Sequence, residues 1–149
     1  MTETPLVPLV NIVTTDLAAI TRGRPVTAAR LAGALETGIG WVPANLCLTP
    51  FNTISDPNPW GSSGDLRILP DPDARYTAVS TGSATPLDLI PGDIVELDGA
   101  PWDGCCRGQL KAAIAALKSA TGLSIRATFE QEFLLKPNQP DPDAIAPHA

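Results

Sequence analysis

Residues 6–14 read Leu-Val-Pro-Leu-Val-Asn-Ile-Val-Thr, and residues 103–122 read Asp-Gly-Cys-Cys-Arg-Gly-Gln-Leu-Lys-Ala-Ala-Ile-Ala-Ala-Leu-Lys-Ser-Ala-Thr-Gly. The first stretch is apolar and rich in β-branched residues, which predicts a strand. The second stretch has apolar residues at helical spacing, namely Leu110, Ala113, Ile114 and Leu117. This pattern predicts a helix that Asp103 or Gly104 can cap and that Gly122 ends.

Shorter patterns fill the chain between these two stretches. Strands are predicted at residues 41–48, 65–69, 76–79 and 94–97. Thr27 can cap a short helix that ends at Gly38. Loops are expected at residues 16–25 and at residues 49–64, which contain three prolines and two glycines. The order of these elements predicts an α+β fold in which a small curved sheet holds one short helix.

Residues 124–135 alternate between two faces and predict a strand directly after the second helix. Glu130 and Glu132 share one face, and at about 3.3 Å of rise per residue their carboxylates lie roughly 7 Å apart. Paired carboxylates suit Mg²⁺ or Mn²⁺, although two alone do not complete a site. The alternative is a solvated polar face on which Arg126 screens the two acids.

The charge balance and the histidine content exclude several classes of function. The 149-residue chain has 16 Asp and Glu against 10 Lys and Arg, for a formal net charge of −6. We therefore expect no nucleic-acid partner, because phosphate neutralisation requires clustered basic residues. The only histidine, His148, lies in a proline-rich tail. Ser-His-Asp and Cys-His catalysis and a histidine-based zinc site are therefore excluded.

The cysteines and the N-terminus indicate a reducing compartment. The chain has three cysteines, and the adjacent pair Cys105 and Cys106 cannot easily form a disulfide with one another. No secretory signal opens the sequence, and no apolar run is long enough to span a bilayer. We therefore expect a soluble, cytoplasmic protein with no membrane partner. Residues 136–149 contain four prolines and are predicted to form a disordered tail.

Three smaller motifs each have a structural and a functional interpretation. Residues 22–24, Arg-Gly-Arg, can hold an anion, but a solvated turn is the simpler interpretation. Cys105 and Cys106 at a helix start can be reactive thiols, but without a histidine partner we expect them to pack. Trp60 and Trp102 are expected to anchor their loops.

Four segments, taken in order, carry a resemblance to a known family. Residues 16–24 resemble a passage of Asp, Gly-Ile and Arg-Gly-Lys, with Arg24 in place of the lysine, and residues 64–71 resemble a Ser-Asp, apolar, Pro-Asp strand. Residues 101–107 are similar to the opening of a catalytic domain. Residues 129–133, Phe-Glu-Gln-Glu-Phe, look like a Glu-x-Glu-Phe strand. Together they resemble the N-terminal part of the glutamine synthetase family, in the divergent branch that includes glutamate–amine ligases.

The resemblance implies a domain organisation. Residues 1–100 would form a β-grasp domain, residues 101–135 would begin the catalytic domain with a helix and the Glu-x-Glu-Phe strand, and residues 136–149 would form the tail. The family also implies a homo-oligomer.

The resemblance also implies a reaction and its metal ligands. The family forms γ-glutamyl phosphate from ATP and glutamate, and ammonia or an amine then attacks it. By position, Glu130 would bind the Mg²⁺ or Mn²⁺ at the nucleotide phosphates, and Glu132 would bind the metal nearer to glutamate. Such metals neutralise the charge that develops on the transferring phosphoryl group.

Two departures from the family pattern modify these expectations. The family has an acidic loop whose aspartate helps to bind ammonium at a neighbouring subunit's site. The equivalent loop here has no acid, so its candidate substrate residues are Thr49 and Asn52, with Asp56 nearby but not aligned. The chain also stops just after the first catalytic strand, so we expect it to be inactive alone. The alternative is a non-catalytic module that docks onto full-length subunits or self-associates.

Overall fold

A computed structural model describes residues 7–61, 63–79 and 86–134, and the predicted tail lies outside these residues. Within them the chain forms, in order, β1 (Leu9–Thr15), β2 (Thr21–Thr27), α1 (Leu31–Thr37), β3 (Ile39–Trp41), β4 (Leu66–Pro70), β5 (Tyr76–Ala78), β6 (Leu87–Val95) and α2 (Cys106–Thr121). None of the helices in the described ranges is long and apolar enough to cross a membrane.

The strands form one mixed sheet, which confirms the predicted α+β class. Its order is β2-β1-β6-β4-β3, and β5 also pairs with β6. β1 and β6 run parallel, with Ile12 opposite Ile90, whereas the other pairs are antiparallel. Ala34 of α1 packs into the core between these strands. The single short helix on a curved sheet is therefore present as predicted.

The core follows from the alternation of apolar residues along the strands. Val10, Ile12 and Thr14 of β1 are buried, while their neighbours are more exposed. The largest fully buried side chains lie mainly on the central strands and include Ile12, Leu46, Ile68, Ile90 and Ile94. Because each strand turns one face inward, the sheet closes around these residues.

One loop prediction and one strand prediction were wrong at positions where glycine allows a close approach. Residues 16–25 were expected to be a loop, but β2 pairs with β1 along its whole length. A Cβ on Gly23 would lie only 2.1 Å from the Ile12 carbonyl oxygen, so only glycine fits there. β6 begins at Leu87 rather than at residue 94, and Gly92 likewise leaves room for Ile68 Cγ2, 2.6 Å from a Cβ built there.

The predicted strand at residues 41–48 was also wrong. β3 ends at Trp41, and Pro43–Cys47 form a 3-10 helix. Proline fits the start of a helical turn because the first N–H groups of a helix have no acceptor within it. The N–H that proline lacks is therefore not needed there. Ala44, Leu46 and Cys47 are nonetheless buried, so the apolar run reports burial rather than strand conformation.

The helix predictions were largely correct. The first helix starts with a 3-10 turn after Thr27, whose side chain makes no capping hydrogen bond, and Gly38 ends α1 as predicted. α2 ends at Gly122, which takes the left-handed conformation. Its N-cap is Cys105 rather than Asp103 or Gly104, and the Cys105 Sγ accepts a hydrogen bond from the Gly108 N–H at 3.3 Å.

Candidate functional site

A loop between residues 48 and 54 carries two of the predicted substrate residues. Leu48 and Ile54 form an antiparallel bridge across its base. The Thr49 N–H donates to the Thr53 carbonyl at 2.8 Å, and the two threonine hydroxyls are 2.7 Å apart. These bonds give the loop a defined shape although no helix or strand of the sheet contains it.

Asn52 takes the position of the loop that requires a left-handed backbone. Its φ is 60°, a conformation that asparagine tolerates better than most residues. Its N–H donates to the Thr49 carbonyl at 3.0 Å, which closes the turn. The preceding residue, Phe51, is 68 % exposed, so the turn presents an aromatic ring to solvent.

Arg22 of β2 ties this turn to the sheet. Its Nη1 donates to Asn52 Oδ1 at 2.7 Å, and its Nη2 donates to the Thr49 carbonyl at 3.5 Å. Its Nε is ion-paired with the Asp16 carboxylate. The Arg22 guanidinium is therefore bound by oxygens of the protein itself, and the solvated turn expected for residues 22–24 is wrong.

Asp16 is the buried end of this chain of contacts. It is only 3 % exposed. Its Oδ1 accepts hydrogen bonds from the N–H groups of Ala18 and Ile20, each at 2.9 Å. Buried carboxylates are stable only when paired and hydrogen-bonded, and Asp16 meets both conditions. This link between Asp16 and Arg22 was not predicted, although the sequence carries a signal for it, namely an aspartate before a tight turn with an arginine six residues later.

The third predicted loop residue lies apart from this arrangement. The structure joins Thr49 and Asn52 through Arg22, whereas the Asp56 side chain is exposed and makes no hydrogen bond or ion pair with the described residues. The tip of the loop therefore presents hydroxyl, amide and aromatic groups.

The two predicted metal ligands lie in a segment without regular structure. Residues 123–134 contain no strand, so the predicted strand is wrong for this part of the chain, and Glu130 and Glu132 are both exposed. A strand requires a neighbour to satisfy its backbone groups, and no described strand pairs with this segment. In the described residues, no group of three or more His, Cys, Asp or Glu can hold a metal ion. Two carboxylates suit a hard divalent cation, but they do not complete its shell.

An ion-pair cluster holds the start of α2 against the sheet. Arg107 donates to Asp71 at 2.5 Å and to Asp93 at 2.9 Å, and Lys111 also pairs with Asp93. The hydrogen bond from Arg107 lowers the pKa of Asp71 below its usual value. Because the cluster spans a turn, a strand and the helix, it fixes the direction of α2 relative to the sheet.

The cysteines and tryptophans pack as expected. Cys105 is 1 % exposed, and its Sγ accepts a hydrogen bond from the Ile94 N–H at 3.1 Å. Burial raises the pKa of the Cys106 thiol, which disfavours the reactive thiolate. Trp60 and Trp102 pack against the core with ring centroids 5.0 Å apart.

The comparison with known families identifies the class of protein. The family model described as glutamine synthetase N-terminal domain matches residues 1–102. The chain therefore belongs to the glutamine synthetase family, which confirms the resemblance in its sequence. Gamma-glutamylpolyamine synthetase GlnA3 of Streptomyces coelicolor is 33 % identical over 135 residues, which cover 89 % of this chain and 28 % of that protein.

Solved structures show the same fold. A crystal structure described as a novel glutamine synthase homolog is 46 % identical, with a TM-score of 0.73 over 80 % of this chain and 29 % of that one. GmaS in complex with ADP is 22 % identical, with a TM-score of 0.57 over 76 % of this chain and 24 % of that one, and it shows the fold alone. The chain thus spans less than a third of the length of these relatives.

Proposed function

We propose that this chain is the N-terminal part of a cytoplasmic, homo-oligomeric ligase that uses ATP to join the γ-carboxyl group of glutamate to an amine through γ-glutamyl phosphate. The observation that carries the proposal is the 33 % identity to a gamma-glutamylpolyamine synthetase over 89 % of the chain. A match of that extent continues past the N-terminal domain into α2. In this proposal residues 1–100 form the N-terminal domain and residues 101–135 begin the catalytic domain.

The loop at residues 48–54 supports an amine substrate rather than ammonia. Its tip carries no carboxylate that would attract a small ammonium ion. The exposed ring of Phe51 offers an apolar surface for the carbon chain of an aliphatic amine. In this proposal Arg22 holds Thr49 and Asn52 in place, and the exposed carboxylate of Asp56 is the candidate partner of a second amino group.

The metal ligands proposed for the reaction are Glu130 and Glu132. Their carboxylates have the chemistry that Mg²⁺ or Mn²⁺ requires, and the remaining ligands would come from residues outside the described chain. When bound, such metals neutralise charge on the transferring phosphoryl group. The described residues also hold the helix that precedes Glu130 and Glu132, because Arg107 and Lys111 pair the start of α2 with Asp71 and Asp93.

A chimeric enzyme tests the metal assignment. Residues 1–135 replace the matching segment of the Streptomyces coelicolor relative, and ADP release is measured with Mg²⁺, ATP, glutamate and an amine. Glu130→Gln and Glu132→Gln should each reduce ADP release by about tenfold or more, as expected when a metal site loses a ligand. Glu36→Gln, an exposed acid on α1, is the matched control and should not change it. Equal activity in all three variants would contradict the assignment.

A second candidate function follows from the apolar groups that the chain exposes. Phe129 and Phe133 are 89 % and 76 % exposed, and Leu110 of α2 is 60 % exposed. Such a surface favours a non-catalytic module that self-associates or docks onto full-length subunits. Light scattering of the 149-residue chain over a range of concentrations tests whether the chain self-associates. A mass that rises with concentration, and falls in the Phe129→Ser/Phe133→Ser variant, supports the module, whereas a constant monomer mass contradicts self-association.

A further inference from the structure

Two arginine side chains converge above Gly40. A Cβ built on Gly40 would lie 3.7 Å from Arg24 Nη1 and 3.9 Å from Arg67 Nη1. Beyond its chain neighbours, no other described atom comes within 4 Å of that point. The two guanidinium nitrogens are therefore separated by no more than the sum of these distances. Arg24 and Gly40 also line an open cavity of about 820 Å³.

Neither arginine is neutralised by the described residues. The ion pairs of the described chain involve other bases, namely Arg22, Arg75, Arg107 and Lys111. Arg24 makes one long hydrogen bond, from Nη1 to the Gly40 carbonyl at 3.4 Å. Asp65 lines the same cavity but lies outside ion-pair distance of both arginines. Two like charges thus face one another without a counter-ion.

The surroundings concentrate positive charge further. A second cavity of about 400 Å³ shares Arg24 and Gly40 with the first and adds Arg30 to its wall. Arg22 lines the larger cavity but is paired with Asp16. Three arginines without an ion-pair partner in the described residues, Arg24, Arg30 and Arg67, therefore lie around Gly40 in a chain whose formal net charge is −6.

We propose that Arg24 and Arg67 bind a compact, multiply charged oxyanion of the phosphate type in the space above Gly40. Guanidinium groups hold phosphate oxygens through charge-assisted hydrogen bonds of about 2.8 Å. Two such bonds and the width of the anion together are long enough to bridge the two nitrogens. Gly40 leaves the space open because it has no side chain. Trp41 also forms part of the wall of the larger cavity.

Isothermal titration calorimetry on the 149-residue chain tests the proposal at constant ionic strength. Inorganic phosphate and ATP are titrated separately, because the same chemistry is offered by the free ion and by a nucleotide. We expect saturable binding that weakens by about tenfold or more in Arg24→Gln and in Arg67→Gln, since each removes a charged hydrogen bond. Arg126→Gln, an exposed arginine outside these cavities, should bind like the unaltered chain.

The results distinguish inorganic phosphate from ATP as the ligand, and two of them would overturn the proposal. Competition between phosphate and ATP supports one shared site, tight binding of ATP alone supports a nucleotide phosphate, and binding of phosphate alone supports the free ion. No saturable binding of either anion overturns the proposal, as does an equal loss in Arg126→Gln. Arg24 and Arg67 are exposed, so the variants should fold. If a glutamine variant does not fold, Arg24→Lys or Arg67→Lys replaces it. Lysine keeps the charge but loses the planar fork, so weaker binding than in the unaltered chain is again expected.

Discussion

Replacing Arg22 by methionine removes the link between the buried Asp16 and the loop at residues 48–54. Methionine keeps much of the side-chain volume but supplies no charge and no donor. The Asp16 carboxylate, whose side chain is fully buried, then loses its ion-pair partner. The Asn52 side-chain oxygen loses its donor at the same time, and the Thr49 carbonyl keeps only the Asn52 N–H.

The expected loss of stability follows from these contacts. Removing one partner of a buried ion pair costs about 3–5 kcal/mol. Asp16 keeps two backbone hydrogen bonds, so the low end of that range, about 3 kcal/mol, applies. Asn52→Ala removes one exposed hydrogen bond and places alanine at a left-handed position, so it should cost about 1–2 kcal/mol. Arg126→Met, at an exposed site, should stay within about 0.5 kcal/mol.

Urea unfolding followed by tryptophan fluorescence measures these free energies. With a slope of about 2 kcal/mol per M, the loss in Arg22→Met lowers the midpoint by about 1.5 M. Chymotrypsin gives a local readout, because the exposed Phe51 at the turn should be cleaved faster once its anchor is gone. A loss below about 1 kcal/mol, with unchanged cleavage at Phe51, would refute the reasoning, since both assays would then show that the turn holds its shape without Arg22.

Three further predictions concern the ion-pair cluster at the start of α2 and two glycines, Gly104 before α2 and Gly33 within α1. The hydrogen bond from Arg107 holds the pKa of Asp71 below 3.8, so its stabilising contribution is complete above that pH and is lost as pH falls through the lower folded value. The urea midpoint should therefore fall more steeply below about pH 4 in the unaltered chain than in Arg107→Gln, and parallel profiles would contradict this. In thermal melts, Gly104→Ala should destabilise by about 1–3 kcal/mol because its Cβ would lie 2.3 Å from the Trp102 ring. Gly33→Ala in α1, with no atom within 4 Å, should instead stabilise by about 0.5–1 kcal/mol, and the opposite order would contradict both assignments.

The elements that were predictable from the sequence are those whose pattern is local. The apolar stripe of α2 and its terminal Gly122 define that helix without reference to the rest of the chain. β2 and the first half of β6 were missed because Gly23 and Gly92 look like loop residues. Their role depends on how closely the next strand approaches, which becomes visible only once the strands are paired.

The contacts of the loop at residues 48–54 could not be predicted from the sequence. The sequence points to Thr49 and Asn52, but their link through Arg22 to Asp16 joins residues far apart in the chain. The alternation at residues 124–135 predicts a strand, but strand conformation also requires a partner, which the described chain lacks.

Amine selectivity in the chimeric enzyme tests the central claim most directly. ADP release is measured with ATP, glutamate and Mg²⁺, and with either a polyamine or ammonium at equal concentrations. We expect the polyamine to support faster ADP release than ammonium. Release that is as fast or faster with ammonium, from a chimera that assembles correctly, would contradict the proposal that this N-terminal domain belongs to a glutamate–amine ligase.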